Sequence, residues 1–318
     1  MTALLASELL RMRSRRMVWV LFGAALIGIC LATVIVAVKS HKVTPADRLQ
    51  AHSLYEQELQ SCVNDMVPSL PPSELGGLTP IEFCTKSGTG FGIESENGIL
   101  MSVAHTYSPV NLADTLLHSS FLVIVMAMLI GASSIGAEWS AGTVTTLLAW
   151  EPRRVRALLV RMLAVVITVA LITVLLLALL CVGLYGAAVL RGTTEGREPL
   201  WLHHLLATIG RITFVATLVS TIGLAVATVG RGTAAALGVL VGYLALFESL
   251  LRGLRPTWTP WLLASSVVTY LSGHRAMVDL PDGHILLVSV THSLIVTCVY
   301  SLAIFLIALV VFRQRDVT

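Results

Sequence analysis

The apolar positions of this chain gather into long runs separated by polar pieces. A bilayer core about 30 Å thick takes roughly 20 residues of helix, and six runs reach that length: 17–38, 115–137, 162–190, 205–229, 233–251 and 285–312. The first carries no charge, and its length exceeds that of a signal-peptide core. No small-x-small cleavage site precedes Lys39, so the run reads as a retained span. The expected fold class is an all-α polytopic membrane protein with six transmembrane helices.

The polar pieces alternate sides, and their charge orients the whole. Segments 1–16, 138–161, 230–232 and 313–318 hold 11 Lys/Arg against four acids. Loop 39–114, on the other side, has four Lys/Arg and nine Asp/Glu. Both termini are therefore expected in the cytoplasm, with 39–114 forming an external loop domain. Composition sharpens this picture: 318 residues, 56% hydrophobic, 12% charged, net charge +3. So sparse a charge excludes a soluble globule, and it leaves no electrostatic footprint for nucleic acid.

The cytoplasmic pieces are too short to fold a catalytic domain. A phosphate-binding loop needs Gly-x-x-x-x-Gly-Lys-Ser/Thr, yet all three lysines (Lys39, Lys42, Lys86) fall on the external side, and Pro80 and Thr85 stand where Lys86 would need glycines. The longest cytoplasmic piece reads Glu138, Gly142, Thr143, Leu147, Leu148, Glu151, Pro152, Arg153, Arg154, Arg156. Thr143 suits a helix cap and Pro152 a helix stop. Val144, Leu147 and Leu148 share a face at helical spacing. A docking helix fits these residues, and so does an interfacial helix backed by positive-inside arginines. In segment 1–16, Leu4, Leu5, Leu9 and Met12 lie on one face, with Glu8 and the arginines largely elsewhere.

The stretch from Glu138 to Arg156 resembles the signature of type-2 ABC exporter permeases: an acidic residue, a Gly-Thr, a Leu-Leu, a proline and a basic residue ahead of the third span. Six spans, inward termini and a short basic helix before span one match as well. The resemblance implies that 138–161 carries a coupling helix seated on a separate ABC ATPase subunit, present in two copies. The coupling residues would be Glu138, Gly142, Thr143, Leu147, Leu148, Pro152, Arg153, Arg154 and Arg156. Segment 1–16 would be the elbow helix along the inner leaflet. A second permease protomer would complete the pathway, with spans one and five near the two-fold axis.

Within loop 39–114, Cys62 and Cys84 are the only cysteines. Facing an oxidising compartment they can close a disulfide, the alternative being two free thiols. Segment 252–284 carries Trp258, Trp261 and a ten-residue apolar run too short to span, which suits a re-entrant or an interfacial lie. Polar residues inside spans invite a functional reading. His118, Arg211 and Glu248 sit near outer ends, with His292 deeper in span six. An Arg211–Glu248 pair fits the spacing, and snorkelling is the simpler account. Gly238 and Gly242 form a Gly-x-x-x-Gly in span five, and Ala216, Ser220 and Gly223 a small-residue face in span four. Nine histidines show no metal-ligand spacing, and Gly131–Gly136 does not match a hydrolase elbow.

The expected function is therefore the permease subunit of an ATP-driven exporter in the bacterial plasma (inner) membrane, surrounded by membrane lipids. It is expected not to be an enzyme and to bind no cofactor, with ATP used by its partner. A stand-alone secondary transporter is the alternative, although broken midplane helices are not evident. A membrane-anchored enzyme would have to draw on loop residues such as Cys62, His105 and Asp114.

Overall fold

A computed structural model describes residues 2–69, 79–85, 96–104, 106–108, 112–142, 153–192, 201–279 and 285–314. Six helices are long and apolar enough to cross a membrane: α2 (Arg16–Lys39), α6 (Leu112–Ser140), α7 (Arg154–Arg191), α8 (Trp201–Gly230), α9 (Thr233–Leu254) and α11 (Val290–Gln314). The short α1 (Thr2–Ser14) precedes them. Helices α3 (Pro45–Ser61), α4 (Pro80–Thr85) and α5 (Glu96–Val103) lie between α2 and α6. The helix α10 (Leu263–Ser272) lies between α9 and α11. The protein is thus an essentially all-α polytopic chain, divided into two compact units.

The larger unit comprises residues 1–28, 113–179 and 202–318. Its central seam joins α6 to α8 through small residues. A Cβ on Gly131 would overlap the Ser220 carbonyl, and one on Gly223 would press on the Met128 carbonyl. Ala216, Ser220 and Gly223 are buried, so the small-residue face of span four is used within the chain. Lipid tails are as apolar as leucine, so close backbone approach supplies what a hydrophobic drive cannot. Gly238 and Gly242 differ: a Cβ on either meets nothing within 4 Å.

Several boundaries move from the expected ones, most of all at the starts of spans three and six. Helix α7 begins at Arg154 rather than 162, because nothing after Pro152 interrupts a helix whose first turns bury Leu158 and Val160. Residues 285–288, assigned to span six by their apolarity, form strand β2 (Ile285–Val288), antiparallel to β1 (Ala276–Asp279), with Ala276 opposite Val288. Ser289 then starts α11, its hydroxyl accepting from the His292 N–H at 3.2 Å. This hairpin is the one departure from all-α among the described residues. Finally, α9 runs to Leu254 and contains a π-helical turn, Tyr243–Glu248.

The smaller unit comprises residues 29–112 and 180–201. A disulfide joins Cys62 to Cys84 with Cα atoms 6.2 Å apart, and its sulfurs pack with Val67 and Phe83 in a small apolar core. Two helices open on the same device, Thr-Pro-x-Asp/Glu. Thr44 and Asp47 form a reciprocal capping box at α3. At α4 the Glu82 carboxylate accepts from the Thr79 N–H at 2.9 Å, while the Glu82 N–H donates to the Thr79 hydroxyl at 3.3 Å. Hydrogen bonds from Thr44 hold the Asp47 carboxyl below its ordinary value. Where α2 ends, the Ser40 hydroxyl accepts from the Tyr107 N–H at 2.9 Å and donates to the Arg191 carbonyl at 3.4 Å.

Candidate functional site

Two glutamates and three arginines form a buried ion network within the larger unit. Helix α1 contributes Glu8 and Arg11, the break after it Arg15, the end of α6 Glu138, and α7 Arg161. Arg161 has 3% of its side chain exposed and grips Glu138 with both Nη atoms, at 2.5 and 3.1 Å. Its Nε donates to Glu8 at 3.3 Å. Arg15 donates to Glu138 at 2.7 Å and to the Ser133 carbonyl, also at 2.7 Å. Arg11 lies 3.2 Å from Glu8 and 3.5 Å from Glu138. Burial pulls the Arg15 guanidinium below its ordinary value, and the carboxylates of Glu138 and Glu8 oppose that shift.

The forked guanidinium matches a carboxylate with two parallel hydrogen bonds. Such a group stays charged when buried. The network therefore ties α1, the end of α6 and the start of α7 together at one place. Close by, Arg231 (φ +55°) in the short α8–α9 turn stacks over the Trp139 ring at 5.4 Å. A Cβ on Gly136 would lie 2.6 Å from the Thr233 nitrogen.

These contacts place the expected coupling residues as follows. Glu138 is drawn into the network, with 12% of its side chain exposed, rather than presented outward. Gly142 takes φ +68°, a left-handed conformation that glycine accepts without strain, and ends the helix there. Thr143, Leu147, Leu148 and Pro152 lie outside the described residues. Arg153 is exposed, and Arg154 and Arg156 are half-buried in the first turn of α7.

Glu8 and Arg161 were missed by the reading of the sequence. The apolar pattern of α1 sets Glu8 on the solvated face, yet it is 8% exposed and shares the inward face with Met12, one turn on. Arg161 had a usable signal, being the single charged residue from Ala157 through Leu190. A lone guanidinium within so apolar a run requires a carboxylate partner.

Arg211, Glu248 and His292 meet a different element. Arg211 and Glu248 do not pair. The Glu248 carboxylate is 1% exposed and accepts from the Ala264 and Ser265 N–H groups at 3.0 and 2.9 Å, so it caps the N-terminus of α10 from another helix. Arg252, one turn on, lies 3.1 Å away and also reaches the Ser265 hydroxyl. The π-helical turn ending at Glu248 resets the phase of α9, so that Glu248 is buried while Leu246 and Phe247 remain exposed. His292 lies 3.2 Å from the Pro260 carbonyl, to which its Nε2 donates, and its ring meets Trp261 edge-on at 4.7 Å. Arg211 packs its guanidinium against Gly273, the left-handed cap of α10, and faces Tyr270. Burial pushes the Tyr270 phenol up, and Arg211 opposes it. Arg211, Glu248 and His292 thus hold one short helix and the turn before it. His118 accepts no role there; its Nδ1 lies 2.8 Å from the Asp114 carbonyl in its own helix.

Among the described residues no group of three or more His, Cys, Asp or Glu is arranged to hold a metal ion. No curated protein matches the chain. Residues 96–318, from the start of α5 onward, match the family described as protein of unknown function (DUF2705). That span covers most of the chain, including Glu138, Arg161 and Glu248, and the protein belongs to the DUF2705 family.

Proposed function

We propose that this chain is the membrane-spanning subunit of an ATP-driven exporter of the type-2 ABC permease kind, powered by a separate ATPase. One observation carries the reading. The buried network joins α1 to the two helix ends that flank residues 141–153, the stretch bearing the permease-like motif. An ATPase pushing on that stretch would move three helices together, because their ends share the same carboxylates. This is the rigid-body transmission that coupling requires.

Other features support the same reading. The disulfide between Cys62 and Cys84 suits an oxidising exterior for loop 39–114, and the arginine-rich ends suit the cytoplasm. Helices α2 and α9 leave the most apolar surface uncovered: none of the best window of α2 is buried, and 17% of that of α9. Gly238 and Gly242 are open on α9, a face suited to a second protomer across spans one and five. The membrane would be the bacterial plasma membrane, and this chain would bind no nucleotide itself.

The test is isolation of the tagged full chain in detergent from the membranes of cells that make it. An ABC-type ATPase should co-purify in equal number with the permease, and Arg153→Glu/Arg154→Glu should release it. A chain that arrives alone and drives transport in vesicles without nucleotide overturns the proposal in favour of secondary transport.

A further inference from the structure

A second site lies on the larger unit, beside the ion network but separate from it. Helix α1, the start of α2 and the middle of α7 enclose an open groove of about 530 Å³. Met12, Val18 and Phe22 line one wall. Ile167, Leu171 and Leu175 line the other, spaced four residues apart and so forming one stripe along α7. From Ile167 to Leu175 the stripe extends about 12 Å at 1.5 Å per residue. One leaflet of the bilayer core is about 15 Å deep, half of the whole. The groove is therefore as long as most of an acyl chain's path through one leaflet.

Its polar groups narrow the ligand further. Arg13, Trp19 and Thr168 are the polar residues of the lining. The Thr168 hydroxyl is satisfied by the Ala164 carbonyl at 2.8 Å, and the Trp19 indole by the Arg13 carbonyl at 2.7 Å. Arg13 is exposed, and no ion pair engages it among the described residues. Its neighbours in sequence differ, since Arg11 and Arg15 are neutralised by Glu8 and Glu138. One uncompensated guanidinium stands on an apolar slot, with a tryptophan beside it at the interface. Inorganic phosphate would leave the slot empty, and a neutral lipid would leave the guanidinium unpaired.

We infer that this groove is a binding site for an anionic phospholipid of the surrounding leaflet, its acyl chain along α7 and its phosphate at Arg13. The inference does not depend on the transport reading, because the groove is complete without any ATPase.

Trp19 supplies the probe. The full chain is reconstituted in phosphatidylcholine vesicles containing a minor fraction of either brominated phosphatidylglycerol or brominated phosphatidylcholine. Trp19 emission is isolated as the difference between the wild type and Trp19→Phe. One arginine at an anionic interface enriches the anionic lipid about fivefold, so brominated phosphatidylglycerol should quench Trp19 with about fivefold greater efficiency per mole. Arg13→Gln should equalise the two lipids. Thr168→Phe, which fills the slot and leaves Arg13 in place, should equalise them too. Equal quenching in the wild type overturns the site. Preference surviving Arg13→Gln overturns the role of the guanidinium, and preference surviving Thr168→Phe reduces the site to a surface charge without a chain-binding groove.

Discussion

Glu138→Gln tests the ion network directly. The substitution keeps the side chain's size and removes its charge, leaving Arg15, Arg161 and Arg11 to share Glu8. Two unit charges about 4 Å apart interact by about 4 kcal/mol at an effective dielectric of about 20. Glu138 engages two buried guanidiniums at 2.7 and 2.5 Å, so the gross attraction lost is about twice that. Glutamine recovers part of it by accepting one hydrogen bond. Removing one partner of a buried ion pair typically costs about 3–5 kcal/mol. Side-chain exposures of 12% for Glu138 and 3% for Arg161 leave little solvent to screen the loss. At about 2–4 °C per kcal/mol, the Tm of the protein in detergent should fall roughly 6–20 °C, read by loss of the monodisperse peak on heating. The matched double variant Glu138→Gln/Arg161→Met removes the orphaned guanidinium along with its partner. It should lose less than the sum of the two single variants, by at least about 1 kcal/mol. A Tm for Glu138→Gln within 1–2 °C of wild type, or strict additivity in the double variant, would refute the argument that these groups act as one unit.

Gly131→Ala should lower the Tm by an amount equal to about 1–3 kcal/mol, because its Cβ would meet the Ser220 backbone; Gly238→Ala, with open space around it, should leave the Tm unchanged or raise it. Cys84→Ser should raise the rate of protease cleavage between residues 45 and 104 under oxidising conditions, since the bond closes a loop of separation 22, worth about 3 kcal/mol in the entropic account; equal cleavage rates with and without reductant in the wild type would contradict this. Glu248→Gln should destabilise the protein more than Arg252→Gln, because Arg252 is half exposed while Glu248 is buried on two backbone N–H groups; the reverse order by thermal unfolding would show that the ion pair, not the helix cap, holds α10. The depressed value of Asp47 means that its stabilisation of α3 is present above the ordinary 3.8 and lost as pH falls through the lower folded value, so amide exchange at residues 47–50 should accelerate only in strong acid, and acceleration already near pH 6 would exclude the capping box as the cause.

The six long apolar helices were legible because a run of about 20 apolar residues is long enough for a crossing helix. Ends were less legible where two rules compete. Arg154, Arg156 and Arg161 look like a loop by charge, yet the helix begins at Arg154 because the interleaved Leu158 and Val160 have a core to enter. Ile285–Val288 looks like helix by apolarity, but it has a strand partner in Ala276–Asp279 that no local pattern announces. The candidate site was half legible. Glu138 stood out as part of a motif, whereas Glu8 and Arg161 gain meaning only from each other, across a separation of 153 residues. Glu248 was noticed as a charge within a span, but its partners are backbone amides, which no residue type encodes.

The placement of polar and small residues carries a mechanical consequence. The middle of the seam between α6 and α8 is held by close backbone approach at Gly131 and Gly223. The end of α6 is held by backbone approach at Gly136 to Thr233 and also by charged side chains, Arg15 from the break after α1 and Arg161 from α7. Glu138 has two oxygens and three guanidiniums within 3.5 Å, and its lone pairs accept from Arg15 and from both Nη atoms of Arg161 in one arrangement. A force that moves Glu138 would therefore pass to Arg15 and Arg161, and through them to the ends of α1 and α7. Transmission to the rest of the membrane region then depends on α1 and α7 following Glu138. That is why the charge at 138, rather than the helix packing beneath it, is the feature whose removal should separate ATP hydrolysis from transport if the exporter reading holds.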